Sequence, residues 1–503
     1  MVGEDRPRAV LGIDVGRGKT TGVLLAEDGR ILARTAVEHP PQRTRPGHAE
    51  QDPETIWSAF RSVVVRLKSS VEVDLRGLAF AGEAGGLVFL DRAGRPVRPA
   101  ILGGDRRAEP EAKELVQRLE AERLYAATGR RAGPCLPAAK ILWLAANAPE
   151  DAQRVAKLLM PKDYLLFRLT GEYATDASDA SVSGLFGIAE RAWSDAVLAA
   201  LGLASELLPE VFECGDVAGR VSVAGAAETG LPEGLPVVAG GSELACAALA
   251  AGLASGRGGL AWLEPGAGIL LRTERPPRSI EEPFEAACDA TGGWHVLAVL
   301  PLPISPLRWL AEEVAPEWAA AARAAGAEPE EALLGEAASA PAGAGDLFYL
   351  PAVDGSGSGR PAARAAWVGL APGHGRPALA RSMIEGLGHA LAERLERSRA
   401  VLLAPEELLL AGRAATSEVW RPILAAQLGL PIRPLEHGLE PARGAAMLAG
   451  IGTGLFRDPR EAVARAAQPV AAPIPVDGAM AAFYAAARAR WRRAITALAA
   501  LAD

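Results

Sequence analysis

The sequence predicts an α/β protein made of two similar halves that flank a cleft. The first observation is the start of the chain, where three apolar runs between Leu11 and Arg34 alternate with short turns. This spacing predicts an antiparallel β-meander with an acidic residue at its first turn. The second observation is that the pattern restarts near Leu231, with apolar strands, glycine turns and alanine-rich helices. Because each half holds a meander and helices, we expect a duplicated α/β domain.

The composition narrows the class of protein. A chain of 503 residues that is 50% hydrophobic is long enough for two large packed domains. The net charge of −8 and the lack of a basic block argue against a nucleic-acid partner. The four cysteines are scattered, without the spacing of a zinc site, and we expect them to be thiols in a reducing compartment.

No secretion or membrane signal stands out. The first ten residues lack the apolar core of a signal peptide. The apolar stretch from Leu244 to Gly256 is shorter than the roughly 18–20 residues that cross a bilayer. We therefore expect a cytoplasmic protein with no membrane partner.

In the first half, a helix follows the meander. Asp52 and Pro53 are typical of a helix start, and the apolar pattern continues towards Lys68. The segment 73–101 then predicts three strands separated by glycine-containing turns. Further helices are predicted over 110–127, over 138–146 and in the segment that stops at Gly171.

In the second half, the segment 235–254 predicts a short buried strand, a Gly-Gly turn and a helix. A hairpin follows over 257–276, and apolar positions at helical spacing mark 379–397. The segment 407–434 predicts a strand, a turn, a helix and a second strand, with a turn suited to ligand approach. A small-residue helix over 440–454 and a helix from Met480 to Leu501 complete the chain.

These segments, in this order, resemble the FGGY carbohydrate kinases, and among them the xylulokinase-like members. The resemblance covers the chain nearly end to end. No single piece is specific, but eight pieces in the family's order are. They are GIDVG, GHAEQDPETIW, DRAGRPVRPAILGGDRRA, KDYLLFRLTGEYATDASDAS, LPVVAGGSELACAA, WVGLAPGHGRPALARSMIEG, VWRPILAAQLGLPI and EPARGAAMLAG.

The resemblance implies two ribonuclease-H-like domains of the actin and hexokinase type on either side of a cleft. We place them at residues 1–239, for the sugar, and 240–503, for the nucleotide. It also implies transfer of the γ-phosphoryl group from ATP, with Mg²⁺, to a hydroxyl of a sugar or polyol. Such transfer depends on positioning and on neutralising charge at the phosphoryl group. A homodimer is a further expectation from the family.

The turn that holds the family's catalytic aspartate has changed. The family pattern GGGDN is replaced by GGSEL, from Gly240 to Leu244. The resemblance therefore assigns the general base to Glu243. A glutamate keeps the basicity but reaches one methylene further, and a displacement of ~1 Å can cost ~100-fold in rate. The alternative is that Glu243 is only a helix-N-terminal glutamate stabilised by the helix dipole.

The first phosphate-binding turn is DxGTT or DxGTS in the family. Here Asp14 and Gly16 are kept, while Arg17 and Gly18 replace the two hydroxyl residues. Arg17 and Lys19 could offer positive charge to phosphates, although an arginine in this tight turn could equally obstruct it. Asp14 is the best-preserved polar position and the candidate metal ligand.

The other two nucleotide turns are altered more. The second phosphate turn, LGTSG in the family, reads EPGAG, in which Pro265 removes a backbone donor and Glu264 adds a negative charge. The adenosine turn, GGGA in the family, carries Arg413, which could contact the nucleotide or fill its space. The residues that the resemblance assigns to the nucleotide in these turns are Gly266, Gly268, Gly412, Arg413 and Ser417.

The sugar side also departs from the family. Its QMHG piece is replaced by Glu83-Ala84-Gly85-Gly86, and the tryptophan of its WxDxR piece is Gly103. We expect these small residues to leave a larger, more open pocket. The candidate sugar contacts are Glu83, Asp105 and Arg107, with a surface Asp–Arg pair as the alternative for the last two.

Three hypotheses about activity stay open from the sequence. The first is an ATP-dependent kinase of a sugar or polyol with a remodelled site. The second is a catalytically inactive pseudokinase of the same fold that binds a ligand or a partner. The third is hydrolysis of a phosphorylated compound by Glu243 and Asp14, to which no sequence feature specifically points.

Overall fold

The architecture rests on two six-stranded sheets, each covered by helices. The computed structural model describes residues 6–256, 258–263, 266–276, 284–300, 302, 305–351, 365–399 and 405–500. The strands are β1 (Arg8–Val15), β2 (Lys19–Ala26), β3 (Ile31–Glu38), β4 (Glu50–Gln51), β5 (Asp74–Gly82), β6 (Val88–Leu90), β7 (Ala100–Ile101), β8 (Lys157–Leu159), β9 (Ala174–Asp176), β10 (Phe186–Gly187), β11 (Ala192–Trp193), β12 (Glu210–Phe212), β13 (Val217–Arg220), β14 (Pro236–Ser242), β15 (Gly259–Leu263), β16 (Ala267–Thr273), β17 (Glu285–Cys288), β18 (Trp294–Leu300), β19 (Phe348–Leu350), β20 (Ala366–Val368), β21 (Leu408–Gly412) and β22 (Ile432–Pro434).

The helices lie between and after the strands, together with a short 3₁₀ turn (Ser205–Leu207) and a π turn (Leu310–Val314). They are α1 (Pro53–Ser70), α2 (Glu109–Leu119), α3 (Ala121–Thr128), α4 (Pro137–Asn147), α5 (Pro149–Arg154), α6 (Pro161–Thr170), α7 (Ala177–Ala180), α8 (Asp195–Leu201), α9 (Val223–Thr229), α10 (Glu243–Ala250), α11 (Pro306–Trp309), α12 (Pro316–Ala324), α13 (Pro329–Ala337), α14 (Arg376–Ser398), α15 (Arg413–Thr416), α16 (Trp420–Leu428), α17 (Pro441–Gly452), α18 (Pro459–Ala466) and α19 (Gly478–Ala500).

The first sheet has the order β13-β14-β5-β1-β2-β3. Strands β1, β2 and β3 form the predicted antiparallel meander. Strands β5 and β14 continue the sheet on the other side of β1, parallel to it and to each other. Gly82 at the end of β5 pairs with Val15 on one side and Ser242 on the other. The carboxyl ends of the three parallel strands therefore meet at one edge, the position at which α/β sheets commonly bind ligands.

The second sheet repeats this arrangement in the order β17-β18-β16-β15-β21-β22. Strands β15, β16 and β18 form an antiparallel meander. Strands β21 and β22 extend it, parallel to β15. Five strands of each sheet therefore share one order and one set of directions, while β13 and β17 each add an antiparallel strand at opposite edges. This repetition confirms the predicted duplicated α/β fold.

Two helix boundaries lie where proline and glycine residues predicted them. Helix α1 begins at Pro53 after Asp52, whose side chain accepts the backbone N–H of Glu54. Helix α6 ends at Gly171, which adopts the left-handed conformation of a C-terminal cap. The predicted Gly-Gly turn after residue 238 is wrong, because β14 continues through both glycines to Ser242. The strand bulges there instead: the φ of Gly240 is +81°, and a Cβ on it would lie 1.9 Å from the Phe80 oxygen.

Helix α17 belongs to the second half of the sequence but packs on the first sheet. It lies against β1, β2 and β5 and against helix α10. The close approach of α17 to the sheet depends on Gly12 of β1, because a Cβ at this position would lie 1.9 Å from the Ala442 oxygen of α17. The apolar core between α10, α17 and the first sheet includes Ala245, Cys246 and Leu448. The chain thus crosses between the sheets three times, because α19 after α17 packs on α14 and α16 of the second half.

Within the described part of the chain, no helix combines the length and the apolar character needed to cross a membrane.

Candidate active site

The centre of the site is Asp14, at the carboxyl end of β1. Its backbone lies between Thr21 of β2 and Ala81 of β5, in the middle of the first sheet. Its side chain is 9% exposed, and its Oδ1 atom is buried without a hydrogen-bond partner among the described residues. The turn that follows is closed by the N–H of Gly16, which donates to the oxygen of Lys19 at 3.0 Å. Arg17 and Lys19 stand exposed on either side of this turn.

Glu83 comes directly after β5, next to Asp14. Its carboxylate accepts the Nε–H of Arg17 at 3.0 Å and the backbone N–H of Gly103 at 3.1 Å. The Arg17 guanidinium lies so close to Gly104 that a Cβ there would be 2.8 Å from its Nη1 atom. Arg17 therefore spans from the first phosphate turn to the predicted sugar side.

Glu243 is the first residue of α10, directly after β14. The side chain of Ser242 caps this helix by accepting the backbone N–H of Ala245. The position therefore fits both readings of Glu243, as a base at the edge of the sheet and as an acid at a helix N-terminus.

The three carboxyl groups influence one another. Burial raises the pKa of Asp14 well above its ordinary value, and the charges of Glu243 and Glu83 raise it further, while Lys19 opposes them. Burial also raises the pKa of Glu243, with a further contribution from Glu83, while Arg17 lowers it. Raised carboxyl pKa values at the end of a sheet are typical of acid–base or cation sites.

A divalent cation fits the Asp14 side of this cluster. The observation is the buried, unpartnered Oδ1 of Asp14, since an orphaned carboxylate oxygen is an oxygen ligand of the kind that Mg²⁺ prefers. Two further carboxylates close enough to raise its pKa favour a positive charge in the same place.

The residues predicted to bind the nucleotide lie at one end of the second sheet. Leu263, the last residue of β15, pairs with Ala267 of β16 and with Gly412 of β21. The second phosphate turn and the adenosine turn are therefore neighbours. Gly266 stands in the first of them, and the indole of Trp262 lies over Gly268. Glu264 and Pro265, the departures expected to weaken ATP binding, lie outside the described residues.

Arg413 and Ser417 stand at the adenosine turn. The guanidinium of Arg413 lies 3.7 Å from Glu330 and 3.7 Å from Glu331, both on α13. Ser417 follows α15, and its Oγ accepts the backbone N–H of Trp420, the first residue of α16, at 3.2 Å. Arg413 therefore already has acidic neighbours on the side that faces α13.

Helix α10 links the two groups of residues. Its second residue, Leu244, packs into an apolar cluster with Trp262 and Leu270 of the second sheet. Glu243, at the start of the same helix, belongs to the carboxylate cluster at the edge of the first sheet. The structure thus brings Asp14, Arg17, Glu83 and Glu243 together and connects them through one short helix to strands β15 and β16 of the second sheet.

The expected larger sugar pocket is not formed at Gly103. A Cβ at this position would lie 2.1 Å from the Ala84 oxygen, so backbone occupies the space of the lost tryptophan side chain. Lys140 of α4 ties the two loops together, with Nζ donating to the oxygens of Gly85 at 2.6 Å and Leu102 at 2.7 Å. The loops have closed on each other where the small residues predicted an opening.

Asp105 and Arg107 form a buried pair, so the alternative of a surface pair is wrong. Asp105 is fully buried, and its carboxylate accepts both Nε and Nη2 of Arg107 and the backbone N–H of Ala49. Arg107 also donates to Glu50 at 2.7 Å and lies over the ring of Trp143. Arginine bonding holds the pKa of Asp105 below its ordinary value although burial opposes it.

Sequence reasoning missed two buried lysines beside the site. Lys140 closes the loops of the sugar side, and Lys162 of α6 lies under the end of β14. Both stand in helices whose apolar spacing was recognised, and a lysine on the buried face was the signal available.

Comparisons with known proteins identify similar sequences across most of the chain. Residues 9–250 match the sequence model of the FGGY family of carbohydrate kinases, N-terminal domain. Residues 272–453 match the C-terminal domain of the same family.

Relatives and solved structures agree with this match. The chain is 33% identical to a xylulose kinase of Klebsiella pneumoniae over 450 residues, which cover 88% of this chain and 89% of the relative. It is 32% identical to a xylulose kinase of Escherichia coli K12 over 446 residues, with coverage of 88% and 89%. The crystal structure of xylulose kinase from Rhodospirillum rubrum is 26% identical, with a TM-score of 0.88 over 98% of this chain and 99% of the other.

Proposed function

The chain belongs to the FGGY family of carbohydrate kinases, and we propose that it transfers the γ-phosphoryl group of ATP to a hydroxyl group of a sugar or polyol. The observation that carries this proposal is the cluster of Asp14, Glu83 and Glu243 at one edge of the first sheet, with Arg17 across it. The matches to two relatives named xylulose kinase cover 88% of this chain and 89% of each relative.

In the proposed mechanism, Glu243 is the general base. Its carboxylate takes the proton from the acceptor hydroxyl as that oxygen forms a bond to the γ-phosphorus, and the bond from phosphorus to the β–γ bridging oxygen breaks. The raised pKa of Glu243 brings it closer to neutral pH, where a base is most effective.

Asp14 would hold the divalent metal, proposed as Mg²⁺, which neutralises charge on the phosphates when bound. Arg17 and Lys19 supply positive charge at the first phosphate turn, and the terminal nitrogens of Arg17 stay available because only its Nε is bonded to Glu83 among the described residues. Gly266, Gly268, Gly412, Arg413 and Ser417 are the proposed nucleotide contacts of the second sheet.

The acceptor is a sugar or polyol of undetermined identity. Glu83 faces the cluster and is the proposed contact with acceptor hydroxyls, whereas Asp105 and Arg107 are proposed to shape that side through their buried network. D-Xylulose belongs in the test because of the relatives' names. The closed loops at Gly103 are the reason to test other pentoses, ketoses and polyols beside it.

The test is a pair of variants measured against a panel of acceptors. Glu243→Gln should lower kcat by more than about 100-fold while Mg·ATP still binds in calorimetry, because only the proton acceptor is lost. Asp14→Asn should instead weaken Mg²⁺-dependent ATP binding. Glu233→Gln, at an exposed glutamate nearby in sequence, is the matched control.

One result would contradict the mechanism and another the proposed activity. A wild-type rate in Glu243→Gln would exclude Glu243 as the base. The absence of Mg·ATP binding to the wild-type protein at millimolar concentration, with and without every acceptor, would favour the non-catalytic alternative.

A further inference from the structure

Ser178 lies behind the start of the helix that carries Glu243. It belongs to the single turn α7 and is fully buried. Its Oγ accepts the backbone N–H of Ser242 at 2.8 Å. Ser242 is the residue directly before Glu243 and the N-terminal cap of α10. Ser178 thus fixes the backbone at the point from which the Glu243 side chain leaves.

The Ser178 hydroxyl is itself held in one orientation. It donates its only proton to Oδ1 of Asp176 at 2.6 Å. The same Asp176 oxygen accepts the backbone N–H groups of Ser178 at 2.8 Å and Asp179 at 3.0 Å. Because a hydroxyl has one donor and two acceptor positions, the lone pairs of Ser178 are left to receive Ser242.

Lys162 anchors this chain of hydrogen bonds from below. Its Nζ lies 2.7 Å from Oδ2 of Asp176 and 3.5 Å from the Ala239 oxygen of β14. Its stem packs on Gly82, the residue before Glu83, where a Cβ would be 2.8 Å away. The ammonium also pairs with Asp163 and Asp179, so it occupies the position that a cation would take among these three acids.

We propose that Ser178 is a positioning residue for Glu243, acting through the Ser242 N–H and supported by Asp176 and Lys162. This inference rests on the proposed role of Glu243 as the base. A glutamate is one methylene longer than the family's aspartate, so its backbone must sit further from the reacting hydroxyl, and a fixed backbone is then needed to keep the carboxylate in place. The bulge at Gly240 and Gly241 displaces the strand, and Ser178 holds the displaced end.

The experiment compares two variants of Ser178 with a matched serine. Ser178→Ala removes the acceptor, and we expect kcat to fall about 10- to 100-fold with the KM for Mg·ATP changed less than about twofold. Ser178→Cys keeps the size but accepts hydrogen bonds weakly, so it should fold and lose less rate. Ser183→Ala removes a buried hydroxyl of the same segment, whose bonds to described residues are to the Ala180 oxygen and the Leu185 N–H, and should keep kcat.

A second measurement separates positioning from general support of the fold. The pH profile of kcat/KM for Ser178→Ala and Ser178→Cys should show a displaced acidic limb, because the Glu243 carboxyl group changes its surroundings. A loss of melting temperature with kcat and pH profile unchanged would overturn the inference. If Ser178→Ala fails to fold, the same comparison is made with Ser178→Cys.

The two proposals fail in different ways. If Glu243→Gln is inactive but the Ser178 variants match Ser183→Ala in kcat, only the positioning role is excluded. If Glu243→Gln keeps the wild-type rate, the base is elsewhere, so the base role of Glu243 and the positioning role of Ser178 are both excluded while the phosphoryl transfer stands.

Discussion

At the scale of single residues, the site places carboxylates where their charge is unfavourable. Asp14 and Glu243 both have raised pKa values, chiefly because of burial. Ionised forms in such surroundings reduce the stability of the folded state, and that is a known feature of active sites. A functional role for Glu243 therefore predicts an effect on stability that a surface glutamate would not have.

Glu243→Gln should raise thermal stability at pH 8 and much less at pH 5. The folded state keeps the Glu243 proton above the ordinary pKa of 4.5, so it binds more protons than the unfolded state in that range, and stability falls as the pH rises through the raised pKa. Glutamine does not ionise, so the variant does not lose this stability as the pH rises. Melting temperatures at the two pH values test this, with Glu233→Gln as the control. Equal shifts at both pH values would contradict it.

Arg17→Ala should move the acidic limb of kcat/KM to higher pH. Arg17 lowers the pKa of Glu243, so its removal lets that pKa rise, and the base is then protonated at a pH where the wild-type enzyme is still active. Arg106→Ala, at an exposed arginine of the neighbouring loop, should leave the limb unchanged. A limb that moves to lower pH in Arg17→Ala would exclude this electrostatic role.

Only part of the site could be predicted at this scale. Asp14, Gly16 and Glu83 stand directly after apolar strands, and their convergence follows from parallel pairing. The burial of Asp105 and Arg107 could not be predicted, because the partner of Asp105, Ala49, and the partner of Arg107, Glu50, belong to a separate segment. The same holds for Ser178, whose contact with Ser242 joins residues 64 positions apart.

At the scale of elements, the closed loops of the sugar side depend on Lys140. Burial lowers its pKa to about 8, from an ordinary value of 10.5. A neutral amine has two N–H groups, which is the number needed for the oxygens of Gly85 and Leu102. A lysine with a lowered pKa can therefore hold the two loops together in its neutral form, without a buried charge.

The wild-type protein should gain stability relative to Lys140→Met as the pH rises from 7.5 to 10. Over this range the unfolded state binds more protons than the folded state, so the free energy of unfolding rises with pH. The expected gain is up to about 3 kcal/mol, since one pKa unit corresponds to about 1.4 kcal/mol. Chemical denaturation at both pH values measures it, with Lys113→Met as the exposed control. Parallel pH curves would contradict the prediction.

The sequence pattern was sufficient for most elements, because apolar spacing, proline starts and glycine caps act locally. Helix α1 begins at the predicted Pro53, and helix α6 stops at the predicted Gly171. It was insufficient for β14, where the turn signal of two glycines marks a bulge set by the neighbouring strand β5. It was also insufficient for Gly103, since small side chains can either open a pocket or let two backbones touch.

At the scale of the whole molecule, a helix from the second half of the sequence completes the core of the first half. The division into residues 1–239 and 240–503 stays a prediction, yet helix α17 of the second half covers β1, β2 and β5 of the first sheet. A large apolar face depends on this cover, because the core between α17 and the sheet is fully buried at Val10, Ala79 and Ala446.

A fragment of residues 1–239 should therefore not fold cooperatively. Without α10 and α17, the exposed face of the first sheet favours aggregation. A fusion that appends residues 240–254 and 436–470 through a flexible linker should recover cooperative unfolding and a monomeric elution volume. Circular dichroism with denaturant and size-exclusion chromatography test both fragments. A monomeric, cooperatively unfolding 1–239 fragment would show that the sheet is stable alone.

The return of α17 to the first sheet also sets a delay during synthesis. The ribosome completes β14 at Ser242 but does not reach α17 until Pro441, 199 residues later by the difference of these positions. At about 5–20 residues per second, the nascent first sheet waits roughly 10–40 s for its cover. During that interval its apolar face is available to chaperones, and codon changes that slow translation between these points should lower the yield of folded protein.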